Sequence, residues 1–224
     1  MTVYDTAKLL PSIPELRDHC RALAMLEAVI SPDADFRHYT FDTHWSPTDE
    51  LASMSNGSGD EYSIVLAPAG AYIRGFDHES PMSPYVDDVP WPGVVDEVPD
   101  VFRRYVDEPA FSHGLGFPCV TACLWRTADD DSWRAGAIDF PDACDPDGSA
   151  YLFEHLTDRS AEVYLEFAVD MHEVPVDLDA VRHVLALRPL TDELVAVLNP
   201  RLTLSALADD LATIGYPADP RPGS

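Results

Sequence analysis

The sequence predicts an α+β fold: an antiparallel sheet built from two or more hairpins, with a C-terminal helical layer packed on it. Two observations carry this. Residues 61–67 (EYSIVLA) and 71–76 (AYIRGF) are β-rich runs around Pro68-Ala69-Gly70, and residues 118–127 and 132–140 repeat the pattern around Ala128–Asp131. After Phe140 the texture changes to helical segments separated by Pro175, Pro189 and Pro200. Strands gathered first and helices gathered after them are the mark of an α+β domain. The 224 residues suit one domain over 1–217, mainly sheet with an N-terminal helix up to residue 140 and helical from 141 onward. Residues 218–224 read as a loose, Pro-rich tail.

Each element has its own local cause. Ser12 and Glu15 have capping-box spacing with Pro14 in the first turn, and Leu16, Cys20, Leu23, Leu26, Val29 and Ile30 recur near the helical period. This predicts a helix over 14–30, stopped by Ser31-Pro32. Phe36 to Phe41 is a predicted strand, rich in aromatics and Thr. Residues 46–60 are polar around Asn56-Gly57-Ser58-Gly59 and read as a loop. The two hairpins follow, separated by an irregular stretch that Pro81, Pro84, Pro90, Pro92, Pro99 and Pro109 punctuate, with a short helix around Val101–Tyr105. Helices are predicted over 149–157, 159–172, 177–187, 191–198 and 203–214, with Asp177, Thr191 and Thr203 as N-caps.

Charge is the strongest compositional signal. Forty acidic residues against fourteen basic ones give −26, a field that repels phosphate backbones, so no nucleic-acid partner is expected and a basic protein partner is. A second source of acidity stands beside this one. Asp outnumbers Glu, and Lys8 is the sole lysine, as a GC-rich genome or a high-salt cytoplasm would also produce. No apolar run reaches the roughly 18 residues that a membrane helix needs, so no membrane association is expected. The N-terminus lacks the basic start and apolar core of a secretory signal, which points to the cytoplasm. Cys20, Cys119, Cys123 and Cys144 are irregularly spaced and lack a C-x-x-C pair; they read as buried free thiols rather than a metal or redox site.

The most unusual stretch is Asp77-His78-Glu79-Ser80-Pro81-Met82-Ser83-Pro84. It sets ionisable and hydroxyl groups directly after a predicted strand, and His titrates near neutral pH. On an extended backbone Asp77 and Glu79 point away from His78, so a triad of consecutive residues is geometrically awkward. A metal centre would need further ligands from His38, His44 or His113, and none is assigned; no cofactor is implied. The competing reading is a rigid loop that satisfies its own backbone. The binding surface read here comprises Asp77, His78, Glu79, Ser80, Met82 and Ser83. The catalytic candidates are His78, Asp77 and Glu79.

A second acidic cluster, Asp142, Asp145, Asp147, Gly148 and Ser149, fails as an EF-hand: position twelve from Asp142 is Phe153, and Pro146 interrupts the ladder. It reads as a turn at Asp147-Gly148 followed by a Ser149 cap. Phosphate-loop, nucleophile-elbow and H-E-x-x-H motifs are missing. Tyr151, Phe153, Tyr164 and Phe167 fall at core-like helical spacing.

Gly75-Phe76-Asp77-His78-Glu79-Ser80, Trp91-Pro92-Gly93, Trp133-Arg134-Ala135-Gly136, Asp145-Pro146-Asp147-Gly148-Ser149, Leu198-Asn199-Pro200 and Ile214-Gly215-Tyr216-Pro217 occur in that order. Together they resemble a bacterial, actinobacterial-type family of uncharacterised hypothetical proteins, over roughly residues 60–217. The resemblance implies no activity and no catalytic residues. In size, acidity and lack of motifs the chain is similar in character to toxin-immunity proteins. The expected function is therefore a cytoplasmic protein-binding module, immunity-like, with a basic protein partner. The alternative is a small hydrolase using His78 with Asp77 or Glu79.

Overall fold

The computed structural model describes residues 1–112 and 114–217; the tail 218–224 and His113 lie outside the described residues. Helices α1 (Val3–Leu9) and α2 (Ile13–Ile30) lead into strands β1 (Tyr39–Asp42), β2 (Glu50–Ser55), β3 (Glu61–Ala67) and β4 (Gly70–Phe76). Helix α3 (Asp100–Val106) and strand β5 (Ala122–Thr127) follow. Helices α4 (Ser149–Leu152), α5 (Glu154–Thr157), α6 (Ala161–His172), α7 (Leu178–Leu185), α8 (Asp192–Leu198) and α9 (Ala208–Ile214) complete the described chain. The strands form one sheet in the order β1-β2-β3-β4-β5, antiparallel throughout. The fold is thus α+β, with C-terminal helices packed on an antiparallel sheet. Among the described residues no helix is long and apolar enough to cross a membrane.

Helix α2 organises the helical layer. Glu15 accepts the backbone N–H and the hydroxyl of Ser12, so the predicted capping box holds the first turn. The buried face of α2 packs on β1 and β2 and meets α7, α8 and α9 on its other flank. On this side of the sheet Tyr62 meets Phe153, and Gly75 lies so close to α4 that a Cβ would come within 2.8 Å of the Phe153 ring and 2.9 Å of Leu152. On the opposite side, Tyr72 packs on Phe102 and Tyr105, and buried Arg74 sits over the Phe111 ring and pairs with Glu61. A buried guanidinium is tolerable only because its charge is paired.

The structure departs from the local expectations at five places. Residues 50–55 form β2, a central strand, inside the expected 46–60 loop. Only Ala52 and Met54 of it are buried, so alternation was faint, yet neighbours on both sides satisfy its backbone. The strand expected from Phe36 begins instead at Tyr39; Ala34–Phe36 is a 3-10 turn and Phe36 is exposed. Residues 132–140 contribute a single bridge, Trp125 to Arg134, rather than a full strand. Beyond it the Tyr4 hydroxyl holds Gly136 and Ile138, and the Trp91 indole N–H holds Asp139, so side chains replace the ladder. Finally, α1 was not foreseen; the Asp5 carboxylate accepts the Thr2 N–H at its start. Cys20, Cys119 and Cys123 are buried, whereas Cys144 is exposed, against the expectation for all four.

Candidate functional site

Two sequence clusters that lie far apart in the chain meet in space. The loop after β4 packs on the turn before α4: the Ser80 hydroxyl donates to the Pro146 carbonyl at 2.6 Å. Thr121 ties both, receiving the Asp77 N–H and donating to the Asp147 carbonyl. Gly148 adopts φ 74°, and a Cβ there would fall 2.5 Å from that of Asp77, so the turn needs glycine for close approach as well as conformation. Asp147 is fully buried and accepts the N–H groups of Val3 and Ser149; burial raises its carboxyl above the usual range. The predicted Ser149 cap is not observed. Gly148 occupies the N-cap, and Asp145 accepts the N–H groups of Ala150 and Tyr151.

This packing divides the six predicted binding residues. Ser80, Met82 and Ser83 are buried, and the Ser80 oxygen also accepts the Met82 N–H. Asp77 and His78 are half-buried and Glu79 is exposed. The carboxylate that meets the His78 ring is neither Asp77 nor Glu79 but Asp60, whose Oδ1 lies 2.6 Å from Nδ1 and also accepts the His78 backbone N–H. That hydrogen bond raises the imidazole pKa. Asp77 Oδ1 instead accepts the Glu79 and Ser80 N–H groups, and desolvation raises its carboxyl. Asp60, Asp77 and His78 offer ligand atoms within 4.8 Å of one another.

A chain of contacts leads from this group to a cleft. Asn56 Nδ2 donates to Asp60 Oδ2 and to the Tyr151 hydroxyl, and Tyr151 lines the cleft mouth. The cleft has a volume of about 430 Å³ and lies between the start of β1, α5 and α6. Four rings converge on its floor. His38 and Phe167 centroids are 4.8 Å apart, His155 and Phe167 5.1 Å, and Tyr39 and Phe167 5.4 Å. Burial lowers both imidazoles to about 4, so His38 and His155 are neutral at neutral pH. The carboxylates Glu154, Glu166 and Asp170 line the cleft, and among the described residues no Lys or Arg does.

Beneath the floor Glu27 is completely buried. It accepts the His38 backbone N–H at 2.8 Å and the Tyr164 hydroxyl at 2.9 Å, and His172 Nε2 lies 3.1 Å away. Glu27 thus joins α2, the start of β1 and α6, the elements that shape the cleft. Of the aromatics assigned to packing, Phe153 and Tyr164 are buried, but Tyr151 is exposed and Phe167 half-buried, and both line the cleft. A larger cleft of about 770 Å³ between the end of α2 and α8 is lined mainly by aliphatic side chains and prolines, with Arg201, and gathers no comparable polar set.

Comparison with protein-family models, curated proteins and solved structures finds no match for this chain.

Proposed function

We propose that the chain is a protein-binding module that takes a basic protein partner, and that a cationic side chain of that partner anchors in the cleft over Phe167. The observation that carries this is the lining: four rings below, three carboxylates around them, and no Lys or Arg among the described residues that line it. A guanidinium or ammonium over aromatic faces is attracted by about 0.5–2 kcal/mol, the larger figure where water is excluded. The carboxylates add a charge-assisted hydrogen bond. The −26 field speeds the encounter with a basic surface. An acidic protein that masks a basic one in the cytoplasm, as an immunity protein does, is the biological form that fits this chemistry.

The hydrolytic alternative has less support. The His78 ring is oriented by Asp60, but the neighbouring Ser80 hydroxyl is buried against Pro146, and the Asp77 oxygen that could assist is held by backbone N–H groups. No nucleophile is thereby presented to the base.

The test is capture from native lysate by the immobilised full-length chain, followed by the isoelectric point of whatever binds. A basic protein is expected. It should be lost, by at least about tenfold in retained amount, when Glu154, Glu166 and Asp170 are all changed to Gln, since three charge-assisted contacts exceed 1.4 kcal/mol together. Changing the exposed Asp129, Asp131 and Asp209 to Asn removes the same charge elsewhere and should leave capture intact. Equal loss in both variants would show that net charge, not the cleft, does the binding.

A further inference from the structure

We propose that Asp60, Asp77 and His78 form a site for one divalent cation of the class that accepts imidazole and carboxylate together, with Zn²⁺ and Mn²⁺ as its representatives. This does not rest on the basic-partner reading and stands or falls separately from it.

The site follows from strand register. Glu61 pairs with Phe76 at the open end of the β3–β4 ladder, so the residues just outside that pair, Asp60 and Asp77, are brought side by side, with His78 next along the chain. Each of the three offers a ligand atom, and all lie within 4.8 Å of one another. Ligands on a common ion at about 2.0–2.2 Å sit roughly 3 Å apart, so modest side-chain rotations suffice. The imidazole sets the metal class. Mg²⁺ and Ca²⁺ prefer oxygen alone, whereas Zn²⁺ and its neighbours take nitrogen readily.

The surroundings are those of an oriented ligand set. Asp60 is held from behind by Asn56 Nδ2 at 2.7 Å, and Asp77 by the Glu79 and Ser80 N–H groups at 2.9 and 3.1 Å. Such outer contacts fix ligand orientation and tune affinity. The Gly59 backbone lies against the His78 ring, where a Cβ would stand 3.2 Å from Cγ, and Gly148 lies against Asp77, so side-chain-free loops close on both ligands. Charge points the same way. Two carboxylates stand here with Glu79 next in the chain, and among the described residues Asp60 has no Lys or Arg partner and Asp77 has no ion pair. Three protein ligands leave room for water on the metal.

The test is calorimetric titration of the full-length chain, stripped with chelator, with ZnCl₂ and separately with MnCl₂. One ion per chain is expected. Asp77→Asn and His78→Asn should each weaken binding by at least about tenfold, the loss that even an outer-shell change brings. Glu79→Gln should bind as the unmodified chain does. Should either ligand variant fold poorly, the unmodified protein answers alone: Mn²⁺ is expected to broaden the His78 ring and the Asp60 and Asp77 amide resonances first. No stoichiometric binding, equal weakening by Glu79→Gln, or broadening centred elsewhere would overturn the proposal.

Discussion

Glu27→Ala is expected to lower the melting temperature by roughly 10–20 °C. The carboxyl group is fully buried and serves the His38 N–H, the Tyr164 hydroxyl and His172 Nε2 at once. Alanine leaves all three without that partner. The two buried donors, the His38 N–H and the Tyr164 hydroxyl, cost about 1–3 kcal/mol each when orphaned, half-buried His172 less, and the cavity adds to this. A domain of this size loses about 2–4 °C per kcal/mol. Glu27→Gln keeps an acceptor for one or two of these groups and should fall by about half as much. Calorimetric melting at pH 7.5 checks both. A Glu27→Ala melting point within about 2 °C of the unmodified chain would mean that the three groups repartner readily, and that Glu27 does not hold the cleft floor together.

The second large effect is a loss of stability as pH falls from about 6.5 to 4. Burial, the main cause in each case, lowers His19, His38 and His155 from 6.5 to about 4. The sign follows from which state takes protons. Near pH 5 the unfolded chain has protonated these imidazoles and the folded chain has not, so acid favours unfolding. Their contribution is fully present above pH 6.5, declines through the window and is gone below pH 4. Each fully resistant imidazole contributes a slope of roughly 1.4 kcal/mol per pH unit, less for half-buried His155. Asp147, raised by burial, opposes the trend at the acid end, and protonating the surface carboxylates relieves repulsion. Urea unfolding in about 0.5 M salt, which screens that repulsion, isolates the histidine slope. Stability that is flat between pH 7 and 5, or a slope unchanged in His38→Gln, would contradict the assignment.

The fold was legible wherever local chemistry and tertiary structure agreed. The Ser12–Glu15 box, the turn at Pro68-Ala69 and the N-caps Asp177 and Thr191 specify their elements from a few neighbouring residues. It was not legible where long-range partners decide. Strand β2 depends on two neighbours rather than on its own apolar content, and residues 132–140 were lost to the sheet because Tyr4 and Trp91 hold their backbone.

The candidate site divides in the same way. Adjacent Asp77, His78 and Glu79 announced themselves in the sequence. Asp60 did not, because only the β3–β4 register brings it to His78. The cleft was illegible for a different reason. His38, His155 and Phe167 lie on three separate elements, and Phe167 has the helical spacing of an ordinary core residue. The signal that was present is the acidic set Glu154, Glu166 and Asp170, the last two one turn apart on α6 beside Phe167.

The most direct test of the central claim is a nitrogen–proton correlation titration of the isotopically labelled chain with a short arginine-containing peptide at about 0.15 M salt. Anchoring in the cleft predicts saturable shifts concentrated at His38, Tyr39, His155, Phe167 and Asp170, reduced when Phe167 is changed to Ala. Small, non-saturating shifts spread over the acidic surface, or a saturable set centred on another face, would contradict it.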